Sequence, residues 1–252
     1  MKKTVIYQIS DSVGELRIDR EDRHNALGAE ELDALESALD LVQEDREVRV
    51  LVVTGSGEKT FCAGAAIEDL NSGRITPTRF QAVMQRLADL PVPTIARLNG
   101  SVFGGGTELA LSCDFRVGVS GTRLRVPAAA LGLCYPPEGI ARFVDKLGAN
   151  TARRMLVASE TFLADELFRV GFFDYLVDRD KLDERIEELA LHIAGLAPLA
   201  SRAMKELIIQ IERGGLDKER AQELSQLCQD SDDLQEGFAA QREKRVARFV
   251  GS

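Results

Sequence analysis

The run Val48-Arg49-Val50-Leu51-Val52-Val53-Thr54 is nearly continuous in valine and leucine, the pattern of a strand covered on both faces. Such strands alternating with helical patterns along the chain set the expected class as α/β. Upstream, Val5 to Ser10 and Glu15 to Asp19 read as a pair of strands, and Ala29 to Val42 places Leu32, Leu35, Leu39 and Val42 on one helix face. Downstream, Pro93 to Leu98 and Phe115 to Val119 are weaker versions of the same buried strand. From about residue 181 the β signal vanishes. Leu182, Ile186, Leu189, Ala190 and Ile193 mark one amphipathic helix, and Met204, Leu207, Ile208 and Ile211 another, with Gly214-Gly215 as the obvious hinge. The expected organisation is an α/β core over 1–195 and a helical region over 196–252, with no internal repeat and no low-complexity linker. The apolar stripes of the tail must be buried against the core or a second subunit, so oligomerisation is expected.

With 252 residues and 44% apolar content the chain can build a substantial core, which excludes disorder as the main state. Thirty-two lysines and arginines against 41 acids give a net charge of −9, which repels phosphate backbones and anionic lipid. Neither nucleic acid nor a membrane is expected as a partner; the longest basic stripe is Arg242, Lys244, Arg245 and Arg248. Cys62, Cys113, Cys134 and Cys228 form no CxxC pair and only two histidines accompany them, so no metal site and no disulfide framework is expected. A reducing cytoplasm fits this usage. The start MKKTVIYQIS has no sustained apolar region, and no stretch reaches the about 18 apolar residues of a membrane span.

Chemistry concentrates in two glycine- and alanine-rich bends. Asn99-Gly100-Ser101-Val102-Phe103-Gly104-Gly105-Gly106-Thr107-Glu108-Leu109-Ala110 follows a strand and precedes a helical pattern. A helix start leaves backbone N–H groups unpaired, and glycine lets a ligand approach them, so an anion or a developing oxyanion suits this place. Glu108 is held near the same spot, where it could transfer protons; it could equally complement the helix dipole while the glycines serve close packing. The second bend runs from the Val48–Thr54 strand through Gly55-Ser56-Gly57 and Thr60-Phe61 into Cys62-Ala63-Gly64-Ala65-Ala66 and a helical stretch with Ile67 and Leu70. One N–H from each bend would make an oxyanion hole; two tight strand-to-helix connections are the plainer alternative. Gly55 to Thr60 is no phosphate loop, because Glu58 precedes Lys59 and Thr60 stands where GxGxxG needs glycine. His24 and His192 lie far apart without a GxSxG elbow, which argues against a hydrolytic triad, and His192 reads as structural.

Taken in order, four segments resemble the crotonase superfamily, the enoyl-CoA hydratase/isomerase family. They are Arg23-His24-Asn25-Ala26-Leu27, Val48 to Ala65, Asn99 to Ala110 with Cys113-Asp114, and Glu236 to Phe249. The resemblance implies a spiral of ββα units with a helical C-terminal trimerisation region, assembled as a homotrimer or a dimer of trimers. It also implies an acyl-CoA thioester substrate, coenzyme A being part of that substrate and no separate cofactor being needed. By position, the N–H groups of Ala65 and Gly105 would hold the thioester oxygen. Asn25, Ala26, Ala63, Gly64, Ala66, Ile67 and Gly104 would belong to the substrate site, and Glu108 would handle protons.

Three departures qualify the match. Ala128 stands where hydratases of this family usually present a second glutamate, Ala66 where an aspartate is usual, and Pro136 where isomerase-like members carry an acid. Glu138 lies two residues beyond, as a helping acid or as a cap on the helix that Pro136-Pro137 would start. Hydration of a 2-enoyl-CoA is the first expectation. The alternatives are double-bond isomerisation by a single base and a thioester-binding homologue without turnover.

Overall fold

The computed structural model describes residues 3–252. Val5–Ser10 (β1) and Val13–Ile18 (β2) pair antiparallel across Asp11-Ser12, whose φ angles of 48° and 65° match the twist of a tight hairpin. Ala29–Glu44 (α1) buries Leu32, Leu35, Leu39 and Val42, the face its spacing predicts. Next come Val50–Gly55 (β3), Thr60–Cys62 (β4), Ile67–Asn71 (α2) and Pro77–Ala88 (α3). Then follow Thr94–Leu98 (β5), Ser101–Phe103 (β6) and Gly105–Leu111 (α4), and Phe115–Val119 (β7), Arg123–Arg125 (β8) and Pro137–Ala152 (α5). Thr161–Leu163 (β9), Ala164–Arg169 (α6) and Tyr175–Val177 (β10) complete the strands among the described residues. The tail is helical: Leu182–Ala194 (α7), Pro198–Glu212 (α8), Lys218–Gln229 (α9) and Asp232–Glu243 (α10).

Two sheets result. The larger has the order β1-β2-β3-β5-β7-β10 and the smaller β4-β6-β8-β9, so the three central turns, β3-β4, β5-β6 and β7-β8, each put one strand in each sheet before a helix. This is the crotonase-type succession of ββα units that the resemblance implies. All six residues of β3 are buried because the large core lies on one side and α7 on the other, where Val50 and Val52 meet Ile186, Leu189 and Ile193. In α8, Lys205 reaches Asp114 Oδ2 at 2.6 Å and the Val92 carbonyl at 2.8 Å, which anchors the helix to the core. Its other face is bare: Met204, Ile208 and Ile211 are 55–60% exposed, the first two beside a cavity of about 780 Å³. No helix among the described residues is long and apolar enough to cross a membrane.

Parallel pairing of β3 with β5 and of β4 with β6 is what positions the site. It delivers the bend after β4 and the bend after β6 to the same end of neighbouring strands.

Candidate active site

Asn25 is the peg beneath the first bend. It adopts a left-handed φ of 56° and is 0% exposed; its Nδ2 donates to the Ser56 and Thr60 carbonyls at 3.0 and 2.8 Å, and its Oδ1 accepts from Arg20 N–H at 3.1 Å. Its polar atoms are thus consumed in holding the chain, which corrects the expectation that it faces a ligand. Asn99 does the same from the second bend, donating to the Gly57 carbonyl at 2.7 Å. The loop that imitates a phosphate-binding sequence is therefore clamped by two asparagines. The Ala63 N–H donates to the His24 carbonyl at 3.0 Å and the Ala66 N–H to the Leu27 carbonyl at 2.8 Å, but the Ala65 N–H between them donates to nothing among the described residues. The Gly105 N–H, at the start of α4, is equally without an acceptor.

The two free donors belong to bends in contact. Gly64 has φ +86°, and a Cβ there would stand 2.5 Å from Gly105 N and 2.9 Å from the Phe103 carbonyl oxygen. A Cβ on Gly106 would lie 2.3 Å from the Cys62 carbonyl oxygen, so α4 also sits directly on β4. Ala65 and Gly105 together line a pocket of about 110 Å³. Ala63, Ile67, Gly104, Glu108, Ala128, Tyr135 and Pro136 are among its other walls. Asn25, Ala26, Gly64 and Ala66 do not line it, and neither does Glu138. Glu138 is exposed in the first turn of α5 and opens instead on the large cavity beside α8, so the structure does not bring it to the pocket of Glu108. Ala128 does face the pocket, which leaves that wall without the second carboxylate.

Glu108 is 2% exposed, and burial raises its pKa from 4.5 to about 7 against the opposing pull of Arg142. Arg142 Nη1 donates to Glu108 Oε1 at 3.2 Å, while Nη2 donates to Gln85 Oε1 at 2.8 Å. Gln81 is nearby, both of its amide atoms buried and unpartnered: a Cβ on Gly139 would lie 3.1 Å from Glu108 Oε1 and 3.3 Å from Gln81 Oε1. The nearby thiols are inert, since burial pushes Cys62 and Cys113 up to about 12. Arg142 and Tyr135 escape sequence reasoning: Tyr135 stands just before α5 and Arg142 within it, and neither carries a motif.

A second cavity, of about 590 Å³, adjoins the pocket through Ala63, which lines both. His24, Lys59, Arg123 and Arg179 stand on its walls with Glu58 as the one carboxylate. The arrangement can therefore hold an anionic group in one chamber and an apolar chain in the next, with two N–H donors and one acid at the inner end.

Comparison with known proteins finds relatives over almost the whole chain. A family model described as enoyl-CoA hydratase/isomerase matches residues 8–252. A crotonyl-CoA hydratase of Syntrophomonas wolfei is 31% identical over 255 residues, covering 98% of each chain. A short-chain-enoyl-CoA hydratase of Clostridium acetobutylicum is 30% identical over 248 residues, covering 96% of this chain and 95% of that one. The crystal structure of an enoyl-CoA hydratase from Bacillus anthracis superposes with a TM-score of 0.89 at 28% identity over 99% of this chain and 100% of that one.

Proposed function

The chain belongs to the enoyl-CoA hydratase/isomerase family, and from that premise we propose that it hydrates a 2-enoyl-CoA, with Ala65 and Gly105 holding the thioester oxygen and Glu108 moving the protons. The observation that carries this reading is the junction of Gly64 with Gly105, which sets two unpartnered N–H groups in the wall of one pocket with a buried carboxylate. In the proposed reaction the water oxygen bonds to C3, and the C2–C3 double-bond pair moves onto the thioester as an enolate. The charge then gathers on the oxygen between the two donors, each worth about 3 kcal/mol in such a site. Glu108 takes the water's proton as a carboxylate and returns it to C2 as an acid, so water is added and the glutamate ends as it began. Lys59, Arg123 and Arg179 take the phosphates of coenzyme A, and the acyl arm passes Ala63 into the pocket. The bare face of α8 suits a homotrimer or dimer of trimers.

Ala128 favours a second reading, because a wall with one carboxylate suffices to move a proton from C2 to C4 and shift a double bond. Crotonyl-CoA hydration, followed by loss of the conjugated thioester's absorbance, is measured beside conversion of a 3-enoyl-CoA. Hydration supports the first reading and isomerisation alone the second. Tight binding with turnover of neither leaves a thioester-binding protein and overturns both.

The pH dependence follows from burial. A base with a pKa of about 7 makes kcat/KM rise with pH through a limb near neutrality. Removing the opposing cation in Arg142→Met moves that limb upward, and Arg142→Lys keeps it close to the wild-type position. For stability the sign is opposite. The fold favours the neutral acid, so this contribution is whole below pH 4.5 and lost as pH rises through about 7. Titrating kcat/KM for the three proteins tests the pairing; a limb that stays put in Arg142→Met would remove Arg142 from it.

A further inference from the structure

Among the side chains lining the apolar pocket, Glu108 and Tyr135 alone carry a proton or lone pair that water could use. The Tyr135 ring is set edge-on to Phe143, with centroids 6.1 Å apart and planes at 73°, and lines the same pocket as Glu108. Its hydroxyl has no hydrogen-bond partner among the described residues. Burial, and then the Glu108 carboxylate, raise the phenol's pKa above its ordinary value, so it stays neutral and keeps its proton. The other polar groups near the carboxylate are badly placed to meet substrate. Gln81 and Arg142 stand outside the pocket's lining, and Arg142 is already engaged by Glu108 and Gln85.

Building on the hydratase reading, we propose that Tyr135 Oη is the second water-holding group of this site, in the place left open by Ala128. One hydrogen of the attacking water goes to Glu108 and the other is accepted by Tyr135 Oη, which turns a lone pair of the oxygen towards C3. The O–H bond to Glu108 breaks as the O–C3 bond forms, the double-bond pair moves to the thioester, and the phenol neither loses nor gains a proton. Tyrosine thereby lets one carboxylate do work for which a second acid is usual.

Tyr135→Phe keeps the ring on Phe143 and removes only the hydroxyl. Two readouts are taken on the same preparation: hydration of crotonyl-CoA, and exchange of the C2 hydrogens of butyryl-CoA for deuterium, which needs Glu108 and the two N–H groups but no attacking water. The expected result is a fall of about 100-fold in the kcat of hydration with exchange changed less than about threefold. Equal losses in both would mark Tyr135 as a structural residue, and unchanged hydration would deny it any part; either overturns the inference while leaving the hydratase reading intact. That reading itself falls, and the inference with it, if the wild type hydrates no enoyl-CoA.

Discussion

Glu108→Gln lowers turnover of an enoyl-CoA by about 10²- to 10⁴-fold while the protein stays folded. The amide cannot take a proton from water or return one to C2, so the whole of the acid–base contribution is lost at one position. Glutamine is the informative replacement because of what stands behind the side chain. Arg142 is itself buried and spends one nitrogen on Glu108 and another on Gln85. Truncation to alanine would leave a buried cation short of an acceptor, a loss of about 3–5 kcal/mol in comparable pairs, and would confuse a folding defect with a catalytic one. The amide oxygen of glutamine still accepts from Arg142, and the cost of burying a carboxylate disappears. Denaturant midpoints close to wild type together with collapsed turnover are the expected pair of measurements. Retained turnover would take Glu108 out of the chemistry.

Most of the larger sheet is legible in the sequence, for a physical reason. Val5 to Ser10 and Phe115 to Val119 are read to the residue, and the other long strands to within two, because five or six residues buried in a sheet enforce a visible apolar pattern. The smaller sheet is not legible. Thr60–Cys62, Ser101–Phe103, Arg123–Arg125 and Thr161–Leu163 are three residues each, too short for a period of two to stand out from a bend. The same contrast runs through the site. The two small-residue bends announce themselves by composition, since only such residues allow a backbone contact like that of Gly64 with Gly105. Asn25 is placed in the substrate site by the resemblance, whereas here the loop uses its whole side-chain amide. Of the two readings of Glu138, the place in the first turn of the helix that Pro136-Pro137 starts is the one the fold shows, since Pro136 faces the pocket and Glu138 the cavity beyond it. Arg142 hides beside Phe143 as an ordinary charged residue of an amphipathic helix, and only the approach of α5 to α4 turns it towards Glu108.

Gly64→Ala is the second replacement with a large expected effect, and it acts through backbone geometry alone. The φ of +86° disfavours any side chain, at about 1–2 kcal/mol for the left-handed region. The added methyl would also stand 2.5 Å from Gly105 N and 2.9 Å from the Phe103 oxygen, closer than carbon tolerates, and no flexible side chain is there to yield. The two bends must separate, and the Gly105 N–H then no longer converges with that of Ala65. Losing one such donor lowers kcat by about 10²- to 10³-fold with a much smaller change in KM, because the charge it serves exists only in the transition state and enolate. Gly73→Ala supplies the control: its φ of +72° brings the same kind of backbone strain, but nothing lies within 4 Å of the new carbon. It is expected to lose a little stability and no activity. If Gly64→Ala behaved like Gly73→Ala in steady-state kinetics, contact between the two bends would not be what builds the oxygen site.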